Sequence, residues 1–207
     1  MGMNLLTHAR SLIVHLGRRA ACRQADAPGL VTFRLADAVP APRLNAWRRL
    51  RDHWRQAHPA PHADSARDDY RRLILTPMQE WLDAGDGECL LRQPWAAAIV
   101  EDALLHPAGV PGHVHDWVIQ PNHVHVLITP WPGHALEAAA QAWMAATTPR
   151  LNGLLQRRGP VWQRDAVDHL PQDPQPLAAW RRHLRTCGPA LRSSLRTAPP
   201  PALAQAS

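Results

Sequence analysis

Apolar and polar positions alternate most clearly in two neighbouring stretches, His113 to Ile119 and His123 to Thr129, separated by Gln120-Pro121-Asn122. A period of two marks a strand, and a short proline- and asparagine-bearing link between two such runs predicts an antiparallel hairpin. In that register the even positions Val114, Val118, Val124, Val126 and Ile128 form one apolar face, while His115, Trp117, His123 and His125 occupy the other. Val31 to Leu35 alternates like a half-buried strand, and Val161-Trp162-Gln163 reads as extended.

Helical spacing accounts for much of the remainder. Pro40-Ala41-Pro42 breaks the chain before a helix from about Leu44 to Arg55, with Trp47, Leu50 and Trp54 on one face. Ser65 is a candidate N-cap for a second helix reaching about Asp83, with Tyr70, Ile74 and Met78 in helical register and a kink or split at Pro77. Gly85-Asp86-Gly87 ends that helix, and a short strand is expected around Glu88 to Leu91. Gln93-Pro94 opens a third helix to about Leu105. A long alanine-rich helix bearing Trp143 and Leu151 runs to about Leu155, bent at Pro149, and a last one spans about Pro176 to Thr186. Helices and strands in mixed order around a hairpin predict an α+β fold, a mainly antiparallel sheet flanked by helices. Residues 1–29 lack a clear period and residues 196–207 are rich in proline and alanine, so both read as tails on one domain spanning 30–195, the second of them disordered.

Composition narrows the function. The formal charge is +6, and every one of the 23 basic residues is arginine. A basic balance favours an anionic partner, and the lack of lysine excludes any catalytic lysine. Cys22, Cys89 and Cys187 are widely separated, without the C-x-x-C spacing of a zinc site or a disulfide framework, so a reducing cytoplasm is the expected compartment. No run approaches the roughly 18 apolar residues of a membrane span, and no membrane partner is expected.

Candidate chemistry centres on Pro121-Asn122-His123-Val124-His125. Histidines at i and i+2 of a strand project from one face, which makes His123 and His125 a metal-binding pair. His113 and His115 lie further along the hairpin and are expected at the surface. Histidine-triad hydrolases need a third alternate histidine, where this chain has Leu127, and the two-histidine phosphoesterases need two separate His-x-Ser/Thr strands, which are absent. Arg157, Arg158, Arg164, Arg181, Arg182 and Arg185 cluster after the paired histidines and are candidate contacts to DNA phosphates, with Trp131 a candidate base-stacking residue.

After the helix that follows the histidine strand comes Gly159-Pro160-Val161-Trp162-Gln163-Arg164-Asp165-Ala166-Val167-Asp168-His169. Together with Trp117 through Ile128, this segment resembles the REP-associated tyrosine transposases, the single-tyrosine branch of the HUH (His-hydrophobe-His) nucleases, over roughly Val31 to Leu195. The resemblance implies a ferredoxin-like HUH-nuclease architecture, a divalent metal held by His123 and His125, and binding of single-stranded or hairpin DNA. In that family a tyrosine attacks phosphorus, leaving a 5′-phosphotyrosine and a free 3′-hydroxyl; homodimers are known there. Two imidazoles with oxygen donors suit Mn2+ better than Mg2+.

The family also carries a tyrosine and, four residues on, an asparagine on its last helix before a proline. Pro189 matches that proline, but the aligned positions here are Leu184 and Gly188, and Ala166 stands where an aromatic is expected. Tyr70 is the chain's single tyrosine and the remaining candidate nucleophile; His183 lies one position from the empty slot. Two readings follow: a transposase-like DNA-binding protein with a divalent-metal site for strand cleavage and transfer, or a non-catalytic DNA-binding or regulatory protein derived from a transposase.

Overall fold

The computed structural model describes residues 27–164, 177–188 and 190–195. The expected tail at 1–29 lies almost wholly outside this range, as do residues 196–207, Asp168, His169 and Pro189. In chain order the elements are β1 (Gly29–Arg34), α1 (Ala41–Ala57), α2 (Asp64–Tyr70), a π turn (Arg71–Leu75), α3 (Thr76–Asp83), a 3-10 turn (Leu90–Arg92), α4 (Pro94–Leu105), β2 (Gly112–Ile119), β3 (His123–Pro130), α5 (Leu136–Leu154), α6 (Leu177–Thr186) and β4 (Arg192–Ser193). The four strands form one antiparallel sheet in the order β1-β3-β2-β4.

Helices cover both faces, which is why β1 and β3 are buried along nearly their whole length. On one face Val31, Phe33, Val124, Val126 and Ile128 enter the main core, where α5 packs on β1 and β3 and α4 packs on β2. Phe33 stacks on Trp143 at 6.1 Å between centroids and meets the edge of Trp162 at 5.0 Å. On the other face Leu30, Val118 and Leu127 pack against Trp180 and Leu184 of α6. Strand alternation places Thr32, Arg34, His123 and His125 on that second face.

The hairpin forms where the alternation predicts it, but the faces of β2 are exchanged. Val114 pairs with Ile128 and Asp116 with Leu127, so His115 is an inserted residue. A bulge of this kind shifts every later side chain to the opposite face. Trp117 therefore joins the main core with Val126, and Val118 sits beside His125, the reverse of the sequence expectation.

Two further local expectations are corrected, and the expected split near Pro77 takes a particular form. Leu50 is 44% exposed, and Arg51, lying 4.9 Å over the Trp47 ring, is buried with Trp47 and Trp54 in its stead. Glu88 to Leu91 is not a strand: Cys89 has φ 50°, a left-handed conformation that ends extended pairing, and a 3-10 turn follows. The second helix is split ahead of Pro77 by a π turn in which the Thr76 N–H donates to the Arg71 carbonyl, five residues back. Proline lacks the donor that would continue the i→i−4 ladder, and a widened turn accommodates it.

The loop after α3 is pinned at Gly87, whose φ is +86° and whose added Cβ would stand 2.6 Å from the Asp37 carbonyl oxygen. The Asp37 carboxylate accepts the Glu88 N–H at 2.7 Å, holding this loop against the end of β1. Gly87→Ala is expected to cost about 1–3 kcal/mol in urea denaturation, the usual toll of a side chain forced to positive φ. Among the described residues no helix is long and apolar enough to cross a membrane.

Candidate metal centre

His123 and His125 each have 1% of their surface exposed, and their Nε2 atoms approach to 3.1 Å with the rings nearly perpendicular. The orientation of each ring is set from its far side. Asn122 Nδ2 donates to the Leu82 and Asp86 carbonyls, which can only accept, so Asn122 Oδ1 is the atom that faces His123 Nδ1 at 2.8 Å. That oxygen can only accept as well, so Nδ1 of His123 carries the proton and Nε2 presents a lone pair. His125 Nδ1 lies 2.8 Å from the Thr32 hydroxyl, which can donate or accept and so supports either tautomer.

The pair has the dimensions of two ligands on one cation. Two nitrogens each about 2.1 Å from a metal and about 95° apart are separated by about 3.1 Å, near the right angle of an octahedral site. Anchoring the distal ring nitrogen is the usual support of a metal-binding histidine. Binding a cation needs only a tautomer change at His125, with Nδ1–H then donating to Thr32. The donor set and the spacing fit a divalent ion. Among the described residues no cluster of three or more His, Cys, Asp or Glu side chains is placed to hold one.

Arg34 is the cross-strand partner of His123 and is completely buried. Its Nε donates to Gln163 Oε1 at 2.6 Å, and its guanidinium lies 5.4 Å from the Trp47 ring. Gln163 reaches this position because the Gly159 to Gln163 segment runs along the end of β1: Trp162 bridges Leu35, Ala36 N donates to Val161 O, and Gln163 N donates to Arg34 O. The two sequence motifs thus meet in space. Burial, with Arg34 adding to it, pushes the His123 imidazole down to about 3.

A depressed histidine gives stability a definite pH dependence. Above its ordinary value of 6.5 His123 is neutral folded and unfolded, and its contribution is complete; as pH falls from 6.5 towards about 3, the unfolded chain takes up a proton that the folded one refuses. The metal-free protein is expected to lose stability steadily from this group across that window, on the order of 1 kcal/mol per pH unit. Urea denaturation of wild type and His123→Leu should show a shallower pH dependence in the variant; parallel curves would remove His123 as the cause.

His125 and Thr32 border a cavity of about 430 Å³ whose far walls include Gln79 and Asp83 of α3 and Trp180 and His183 of α6. His183 is lowered by partial burial, opposed by the Asp83 carboxylate. Leu184, at the expected nucleophile slot, is instead buried in the satellite core, and Gly188 sits between Gln120 and Asp83. The thiol of Cys187 is pushed up to about 12 by burial and by Asp83, which leaves it unreactive. Tyr70 is buried against Trp54, 4.7 Å between centroids, with its hydroxyl accepting from Arg55 at 3.1 Å; it does not line the cavity. His113 and His115 meet each other at 4.8 Å, and His115 bonds to Thr129.

The candidate DNA contacts divide. Arg181 pairs with Asp116 at 2.7 Å and Arg157 with Glu88 at 3.6 Å. Arg158, Arg164, Arg182 and Arg185 are exposed, and among the described residues the last two enter no ion pair; they lie on α6 beside the cavity. Trp131 is 56% exposed. The sequence reading missed Thr32 and Arg34, because strand pairing alone brings them to the histidines; Gln120, Asn122 and Gln163 were inside the quoted motifs, but their contacts were not visible there.

The fold and site define an α+β protein with a buried pair of strand imidazoles beside a basic helix. No protein family matches the sequence, and no curated protein does. Among solved structures, a REP-associated tyrosine transposase bound to a REP hairpin is similar at 9% identity with a TM-score of 0.30, over 78% of this chain. This protein spans 64% of that chain's length.

Proposed function

We propose that this protein binds single-stranded or hairpin DNA and holds a divalent cation, Mn2+ or Mg2+, between His123 and His125 at a transposase-like site for strand cleavage and transfer. The observation that carries the reading is the convergence of two Nε2 atoms at 3.1 Å with their distal nitrogens tied to Asn122 and Thr32. The quoted motifs, the net positive charge and the exposed arginines of α6 support it. The cation would withdraw charge from the non-bridging oxygens of a phosphodiester. Asn122 and Thr32 orient the imidazoles, the cavity receives the backbone, and Arg182 and Arg185 grip flanking phosphates, with Trp131 free to stack on a base.

Binding is tested with a fluorescent DNA hairpin carrying a single-stranded flank, titrated at several salt concentrations. Replacing Arg182 and Arg185 together with alanine is expected to weaken binding uniformly across sequences and to reduce the slope of log K against log salt by about 1.4 to 1.8. An unchanged slope would remove α6 from the interface.

A second reading is favoured by Leu184 and Gly188, which leave the tyrosine and asparagine positions of the single-tyrosine enzymes without their chemistry. On this reading the protein is a non-catalytic DNA-binding or regulatory protein derived from a transposase. A covalent protein-DNA adduct on a denaturing gel, lost in Tyr70→Phe, would overturn it and restore Tyr70 as nucleophile.

A further inference from the structure

Gln120 directly follows β2, the strand that pairs with the histidine strand. Its backbone N–H donates to the His123 carbonyl at 2.9 Å, so the two residues are neighbours across the hairpin. Val118, two residues earlier, pairs with His125, and alternation directs the Gln120 side chain to the same face as both imidazoles. The residue is 1% exposed, and its Oε1 is buried without a hydrogen-bond partner. Buried side-chain acceptors are seldom left unmatched, and each exception calls for a cause.

The other end of the amide explains the orientation. Gln120 Nε2 lies 2.8 Å from the point where a Cβ on Gly188 would stand, and Asp83 Oδ1 lies 3.1 Å from that same point. Nε2 is thus the end of the amide at Gly188 and Oε1 the end turned from it; Gly188, by lacking a side chain, leaves room for the amide. Position 188 is also where the resemblance places an asparagine.

We propose that Gln120 Oε1 is the third protein donor to the divalent cation, and that Gly188 is small so that Gln120 can fill the place of the absent asparagine. The inference rests on the proposed cation between His123 and His125. An amide oxygen is a common donor to hard divalent ions. A cation would satisfy the acceptor, and two imidazoles with one amide give a neutral donor set suited to manganese.

The test titrates the metal-free full chain with MnCl2, by calorimetry and by loss of the free-ion electron paramagnetic resonance signal, for wild type, Gln120→Met, Gln120→Glu and His123→Ala. Expected are one bound Mn2+ in wild type and affinity reduced about 10-fold or more in Gln120→Met. The melting temperature of metal-free Gln120→Met should be unchanged or raised, since an unmatched acceptor is removed. Gln120→Glu should bind more tightly, an anionic oxygen standing in the same place. Wild-type affinity in Gln120→Met or in Gln120→Glu, with binding lost in His123→Ala, overturns the role of Gln120 and leaves the two-histidine site intact. A lower metal-free melting temperature in Gln120→Met with unchanged Mn2+ affinity marks a structural role and also overturns it. No Mn2+ binding in wild type, or undiminished binding in His123→Ala, overturns the metal site itself.

Discussion

His125→Ala is expected to lower Mn2+ affinity at least about 100-fold, beyond the 10- to 100-fold typical when only a supporting residue is lost. The reason is how little the site has in reserve. His123 and His125 have no third His, Cys, Asp or Glu completing a cluster among the described residues, and the buried Arg34 adds positive charge beside His123. Removing one imidazole leaves a single ring and the Gln120 amide facing a cationic neighbour. Thr32→Val, which strips the hydroxyl from His125 Nδ1 but keeps both rings, should weaken binding by about 10-fold. Calorimetry and the metal-dependent rise in melting temperature both read these losses, and full affinity in His125→Ala would dispose of the pair as ligands. The positive charge of Arg34 beside His123 predicts that a DNA phosphate strengthens cation binding. By linkage the cation must then raise DNA affinity by the same factor.

The features legible in the sequence are those written in adjacent residues. His123 and His125 could be placed on one face because side chains two apart on a strand always share one, and the turn chemistry of Gln120-Pro121-Asn122 located the hairpin. Helix starts at Pro94 and the split near Pro77 followed from proline's missing donor. The exchanged faces of Trp117 and Val118 could not be read, since the bulge at His115 is set by pairing with Ile128 and Leu127, not by any local signal. Long-range partners were hidden for the same reason. Arg34 reads as the polar side of a half-buried strand until Gln163, 129 residues later, and Trp47 bury it. Gln120 reads as a turn residue until Gly188 approaches. The rotation of α6 was equally invisible: alignment by resemblance nominated Leu184, whereas the packing of Trp180 and Leu184 on Leu30, Val118 and Leu127 turns His183 to the cavity.

Under the proposed function, that rotation makes a sharp prediction about installing a nucleophile. His183→Tyr is expected to yield a covalent adduct with structured single-stranded DNA in the presence of Mn2+, and Leu184→Tyr is expected to yield none. A tyrosine at 183 enters the wall of the cavity that His125 and Thr32 border, where its oxygen can attack phosphorus while the 3′ oxygen departs as a hydroxyl. A tyrosine at 184 would replace a side chain 2% exposed and packed beneath the sheet. Its phenol would be driven into hydrocarbon, with an overpacking cost of about 1–3 kcal/mol, and would not reach the cavity. Denaturing gels on labelled DNA separate the outcomes, with melting curves confirming that both variants fold. Adduct formation by Leu184→Tyr alone would show that α6 turns by one residue on binding DNA. Its absence from both would place the phosphodiester away from this cavity.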